Sequence, residues 1–332
     1  MAKKGLIFIL LALVSLSCGE DQVPKLIARP HPKAQESDKH KNLTLTFRPV
    51  VDILFVVDNS GSMDVHQGHL SDNAGKFTKA LFSNVLIDYH IGVTTSDMDP
   101  DGERGALVGW IDKNTPHKDQ VLQQLLVRGT GGSYTEHFFE PVIAALSPPK
   151  VDTINKGFYR ENAFLATVFV TDSRNDGPVT ADGFFKFLLG LKKFDEAKIL
   201  GYAAFIPPGE VGCERDPDGE PVKIYDYLVN YVKNDGVKNY FSLCSDFGPG
   251  LARIGQDLEN RIELFVPVKG PLPEVDTIVV TYGSQIVPRD FNKGWSWNVE
   301  RRGIRLGREL DIKDQPNAVL NITYRPANLK QK

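Results

Sequence analysis

From Ile53 to Val57 the chain reads Ile-Leu-Phe-Val-Val, and at Asp58 it passes at once into Asp58-Asn59-Ser60-Gly61-Ser62. A strand with one wet face would alternate polar and apolar residues. A short, unbroken and β-branched apolar run is instead the pattern of a central strand covered on both faces. Beyond it, carboxylate and hydroxyl groups alternate at Asp58, Ser60 and Ser62, and Gly61 lets the backbone turn tightly around whatever they face. Hard oxygen donors crowded on one loop suit Mg²⁺ or another hard divalent ion. The competing account is that Asp58 and Ser60 only turn the chain and cap the next helix. The choice depends on whether partner loops occur at the ends of other strands.

Downstream, the periodicity predicts a helix over 70–82, a strand over 89–95, a short helix over 119–127 and helix again over 141–146. A second fully apolar strand covers 164–171, followed by a helix at 184–191, a strand at 199–206 and helices at 222–232 and 247–258. Strands alternating with helices imply an α/β fold, a doubly wound and mostly parallel sheet with helices on both faces. From Arg261 onward only short β-like runs with turn residues remain, which predicts a small C-terminal antiparallel β domain. The expected divisions are a 43–266 α/β domain, with a preceding strand at 43–48, and a 267–327 β domain. Phe47-Arg48-Pro49 resembles Tyr324-Arg325-Pro326, so the leading strand is expected to pair with the tail.

In an open α/β sheet, ligands sit outside the carboxyl ends of the strands. Three oxygen-rich loops are expected there: Asp58 to Ser62, Gly131-Gly132-Ser133-Tyr134-Thr135 at a helix start, and Thr171-Asp172-Ser173. In residue type and order these resemble the three loops of the metal-ion-dependent adhesion site (MIDAS) in the von Willebrand factor A (VWA) family. The resemblance covers roughly Pro49 to Val266. It implies a Rossmann-like VWA domain in which Ser60 and Ser62 ligate Mg²⁺, or Ca²⁺ or Mn²⁺, by their hydroxyls. Asp58 and Asp172 would act directly or through water. Ser133 stands where the family usually places threonine, and Thr135 is the substitute if the register differs by two. Such a site leaves one position open for an acidic side chain of a protein ligand, which implies adhesion or protein binding and no enzymatic activity.

Other patterns compete. Gly129-Thr130-Gly131-Gly132 lacks the lysine of a phosphate-binding loop and the last glycine of a dinucleotide fingerprint. No Gly-x-Ser-x-Gly elbow occurs, so a hydrolase built on His66, His69 or His137 has no nucleophile motif behind it; these histidines read as rim residues. Asp97, Asp99 and Asp101 open like a calcium loop, but its twelfth position is Val108, so a second Ca²⁺ site competes there with an acidic turn. Trp295 and Trp297 fit a carbohydrate platform or, more simply, anchors of a small core.

Lys3-Lys4, an apolar core over 6–16 and Ser17-Cys18-Gly19 form an export signal over 1–17, too short for a membrane span. Ser15-Leu16-Ser17-Cys18 resembles a bacterial lipobox, with Ser15 where an aliphatic residue is usual. That makes Cys18 the expected lipidation site, anchoring the chain in the cell envelope, by its Gly19 neighbour at the outer membrane. Residues 18–42, polar and proline-bearing, read as a tether. Cys213 and Cys244 then remain as a single pair in an exported protein, and a disulfide between them is the economical reading. With a net charge of −3 and no long basic run, nucleic acid is excluded as a partner. The function expected is that of an envelope adhesion or protein-binding module; an internal assembly scaffold, a metal-dependent hydrolase and a metal-free structural module are the alternatives.

Overall fold

The structure, a computed structural model, describes residues 43–47, 49–83, 86–210, 219–233, 236–262, 264–268, 270–307, 309–313, 315 and 318–327. The chain divides into two units, Met1–Lys41 and Asn42–Lys332. All described residues belong to the second. The export signal, Cys18 and the tether lie outside them.

A short strand β1 (Leu43–Phe47) leads into the central sheet. That sheet is built from β2 (Val50–Val57), β3 (Asp88–Thr95), β4 (Gly109–Asp112), β5 (Phe164–Thr171), β6 (Ile199–Phe205) and β7 (Tyr240–Ser242), in the order β4-β3-β2-β5-β6-β7. Every pair is parallel except β3 with β4. The helices are α1 (Asp64–Ser83), α2 (Lys118–Leu126), α3 (Phe139–Ala145), α4 (Ala181–Leu191), α5 (Val222–Asp226) and α6 (Phe247–Arg261). The expected doubly wound architecture is present.

The apolar run in β2 packs as its composition requires. Ile53, Phe55 and Val57 enter one core with residues of α1, α2 and α6, while Leu54 and Val56 enter a second with α3, α4 and α5. Both faces are therefore dry, and an alternating sequence would have placed polar side chains in one of them. On the first face α1 and α6 approach so closely at Gly255 that a Cβ there would sit 2.2 Å from the Phe77 carbonyl oxygen. On the second, the Phe139 and Phe184 rings stack at 4.3 Å, and Phe169 and Tyr227 meet them edge-on. The Asp246 and Thr180 side chains accept N–H groups at the starts of α6 and α4, the usual remedy for the unpaired amides of a first turn.

The tail strands are β8 (Phe265–Pro267), β9 (Val279–Tyr282), β10 (Gln285–Val287), β11 (Trp295–Asn298), β12 (Gly303–Leu306) and β13 (Leu320–Tyr324). They form two sheets, β1-β13-β9-β10 and β11-β12-β8, with every pairing antiparallel. β1 lies along β13 with Leu45 opposite Ile322, so the leading strand joins the tail sheet. The division expected between 266 and 267 falls inside β8. Trp295 is buried in the tail core and Trp297 packs against it, which makes the pair core anchors. Cys244 is disulfide-bonded, and its expected partner Cys213 lies outside the described residues. Among the described residues no helix is long and apolar enough to cross a membrane.

Candidate functional site

The strand order reverses at β2, whose neighbours β3 and β5 are the next two parallel strands of the chain. The crossover from β2 carries α1 to one face and that from β5 carries α4 to the other, so the loops after β2 and β5 part and leave a crevice between them. The first loop enters it as a continuation of the ladder, with Asp58 N–H donating to the Val170 carbonyl at 3.0 Å.

Asp58 is fully buried. Its Oδ1 accepts the Ser60 N–H at 2.8 Å and its Oδ2 the Thr171 hydroxyl at 2.7 Å. Burial, with a smaller push from Asp172, raises its carboxyl to about 6 against the pull of Thr171 and Ser60. With both oxygens engaged, Asp58 holds the loop in shape and could reach an ion most simply through water. The Ser60 and Ser62 hydroxyls lie 3.2 Å apart, and the Ser62 hydroxyl donates to Asp172 Oδ1 at 3.1 Å. Residues 110 apart in sequence thus converge on one point at the rim of the sheet.

The loop bearing Ser133 docks on the first through the Gly132 N–H, which donates to the Asn59 carbonyl at 2.9 Å. Ser133 itself donates its N–H to Asp97 Oδ2 at 3.3 Å, and its hydroxyl accepts the Thr135 N–H at 3.1 Å. Its hydroxyl is therefore held within its own loop. Thr135 is exposed. Asp97 also takes the Asp99 N–H on Oδ1 at 2.8 Å. Its carboxylate clamps two loops together, while Asp99 and Asp101 are exposed. Among the described residues no set of three or more His, Cys, Asp or Glu side chains is gathered to hold a metal. Asp97 of the expected Asp97-Asp99-Asp101 calcium loop is turned to backbone amides of its own turn and of the Ser133 loop. At the main site the converging donors are one carboxylate and two hydroxyls with Asp58 behind them. That set suits a hard, oxygen-seeking divalent ion and would not suit a soft one.

The supporting residues are polar groups that no sequence pattern marks. Gln67, on α1 and buried, donates from Nε2 to the carbonyls of Asp58 at 2.7 Å and Gly129 at 2.8 Å, and accepts the Arg128 N–H at 2.6 Å. It fastens the second loop to the first. Ser96, following β3, directs its hydroxyl to Asn59 Oδ1 at 3.4 Å and accepts the His137 N–H on its carbonyl at 3.2 Å. Glu136 is 1% exposed, and burial together with Asp58, Asp172 and Asp97 pushes its carboxyl up to about 9 against the nearby Ser96 hydroxyl. The histidines stand at the margin. His66 and His69 pack against Phe247, and His137 Nδ1 lies 3.7 Å from Glu140 Oε2. Burial lowers His66, with Asp172 opposing and His69 adding to the effect.

The sequence matches no protein-family profile, and no characterised protein matches it. Solved structures do resemble it. One is the pilus adhesin SpaC from Lactobacillus rhamnosus GG, at 13% identity and a TM-score of 0.42, covering 86% of this chain and 40% of that one. A von Willebrand factor type A protein from Catenulispora acidiphila has 13% identity and a TM-score of 0.36, covering 88% of this chain and 62% of the other. Proximal thread matrix protein 1 from the mussel byssus, in a form with a zinc-occupied MIDAS motif, has 12% identity and a TM-score of 0.35, covering 66% and 47%. The chain thus spans less than two thirds of the length of each. Likeness at these scores carries no argument about binding, and the fold rests on the strand order and pairing described above.

Proposed function

We propose that this chain is a VWA-type, non-enzymatic binding module of the bacterial cell envelope, lipid-anchored at Cys18, whose adhesion site uses a divalent cation to capture an acidic side chain of a protein partner. The observation that supports it most is the convergence of the Ser60 and Ser62 hydroxyls with Asp172 Oδ1, at 3.2 and 3.1 Å, across the crevice between β2 and β5. In this reading Ser60, Ser62 and Asp172 face the ion, Asp58 holds their loop from behind, and Ser133, or Thr135 in its place, completes the set from the docked second loop. Mg²⁺ is the expected ion, with Ca²⁺ and Mn²⁺ sharing its preference for oxygen. When bound, the ion supplies an electrophilic point on which a partner carboxylate can close.

Binding is then a charge-assisted contact in a partly dry crevice. Removing one member leaves the other unpaired, which costs about 2–5 kcal/mol, or at least tenfold in affinity. The protein should therefore retain its partner from envelope extract in the presence of Mg²⁺ and lose it on chelation. The same partner should fail to bind Asp172→Ala at any Mg²⁺ concentration. Capture that is indifferent both to chelator and to Asp172→Ala overturns the adhesion-site reading and leaves a metal-free scaffold in its place.

A further inference from the structure

The loop that carries Ser133 delivers a second side chain to the crevice, and its chemistry is out of keeping with a resting core. Glu136 is 1% exposed, and neither of its carboxyl oxygens has a hydrogen-bond partner. The Ser96 hydroxyl, which acts on the Glu136 carboxyl, is directed to Asn59 Oδ1 at 3.4 Å. Among the described residues no lysine or arginine pairs with Glu136, and the charged groups that act on it are Asp58, Asp172 and Asp97, all acidic. The large majority of buried polar groups in folded proteins are hydrogen-bonded, and a buried carboxyl left unpaired calls for a specific cause such as a ligand not yet bound.

The placement of Glu136 is enforced by its backbone. Its N–H donates to Asp176 Oδ2 at 3.3 Å and its carbonyl accepts the Asp176 N–H at 2.7 Å. The next two residues are pinned as well, His137 to the Ser96 carbonyl and Phe138 to Asn175 Oδ1 at 3.3 Å. Phe138 and Phe139 are then sunk in the core. These contacts hold the backbone of the loop at Glu136 against the core. A buried glutamate acted on by three aspartates, opposed by the Ser96 hydroxyl and paired with no lysine or arginine among the described residues, would be stabilised by the arrival of a cation.

We propose that Glu136 is a ligand of the divalent ion held by Ser60, Ser62 and Asp172, joining it by rotation of its own side chain while its backbone stays in place. The inference rests on the reading that these loops hold a cation. It adds a residue that the Asp-x-Ser-x-Ser pattern does not contain. The carboxyls are not drawn to one point in the structure, so the rotation is a required part of the proposal. With Glu136 and Asp172 both on the ion and Asp58 behind, the donor set becomes all-oxygen with anionic members from the second and third loops, which suits Mg²⁺, Mn²⁺ or Ca²⁺.

The test is Mn²⁺ binding to the chelator-stripped protein, followed by electron paramagnetic resonance, for wild type and Glu136→Gln. Melting temperatures of both are measured without metal. The variant should bind Mn²⁺ at least tenfold more weakly while melting at or above the wild-type temperature, because the amide keeps the shape, removes the like charge and offers a donor to the neighbouring carboxylates. A residue with only a structural part would lower the melting temperature and leave the Mn²⁺ affinity alone. Should Glu136→Gln fail to fold, Glu136→Asp, which shortens the arm, is expected to show the same loss. Mn²⁺ affinity within threefold of wild type in the folded variant overturns the role of Glu136 while the adhesion-site reading stands. No Mn²⁺ binding by wild type overturns both.

Discussion

Two adjacent glycines show how much single atoms decide at this site. A Cβ on Gly132 would lie 2.3 Å from Asn59 Oδ1, whereas a Cβ on Gly131 meets nothing within 4 Å. The absence of a side chain at Gly132 is what lets its N–H reach the Asn59 carbonyl and seat the second loop. Gly132→Ala must therefore displace Asn59 or lift the loop, and overpacking of this kind costs about 1–3 kcal/mol. Thermal melts should show Gly132→Ala destabilised and its response to Mg²⁺ weakened, with Gly131→Ala close to wild type; equal behaviour of the two would contradict the docking of this loop. The sequence exposes Asp58, Ser60, Ser62 and Asp172 as candidates because oxygen-bearing residues stand directly after runs that can only be buried strands. Gln67 and Glu136 carry no such mark. A glutamine in a helix and a glutamate before Phe138 are ordinary residues until three loops, distant in sequence, close around them.

At the scale of elements, the opposite end of β2 carries a different charge cluster. Asp52, fully buried, accepts the Arg160 N–H at 2.6 Å and its Nε at 2.8 Å, and Arg160 reaches on to Asp88 Oδ1 at 2.9 Å. Burial raises the Asp52 carboxyl even though Arg160 pulls it down, so the pair does not fully offset the cost of leaving water. Breaking it is another matter. Arg160→Ala removes the guanidinium from a buried carboxylate and leaves it the residue-160 N–H and His90, 3.7 Å away, which should cost about 3–5 kcal/mol in denaturant unfolding. The response to Mg²⁺ should survive, because this cluster sits at the amino end of the strand and the crevice at its carboxyl end. A loss below about 1 kcal/mol would show that Asp52 finds another partner or stays neutral. The long strands are legible in the sequence, with β5 matching its expected span of 164–171. The edge strands β4 and β7 are not, since three or four residues cannot display a period. The helix expected over 222–232 is present as α5 followed by a π-helical turn, Tyr227–Tyr231. That turn packs where Gly201 on β6 leaves room for the Tyr227 ring, a tertiary contact that local periodicity does not contain.

Over the whole molecule, the pairing of β1 with β13 brings the two ends of the described chain together on one sheet. The likeness of Phe47-Arg48-Pro49 to Tyr324-Arg325-Pro326 foretells this contact. That β8 is one of the antiparallel runs beginning after Arg261 is legible, but its choice of β12 as neighbour is not, because three residues carry no register of their own. The topology leaves the crevice between β2 and β5 at the rim of the α/β sheet, where a ligand can be gripped without disturbing either core. A divalent ion is proposed to sit in this crevice, and that proposal has a simple readout. It is tested most directly by titrating Mg²⁺ into the chelator-stripped protein while following its melting temperature, beside Asp172→Ala. A ligand that binds only the folded state stabilises it by about 2.7 kcal/mol at a hundred times its dissociation constant. Wild type should therefore melt several degrees higher in saturating Mg²⁺, and Asp172→Ala should not respond. An equal rise in both, or none in wild type, would contradict the account.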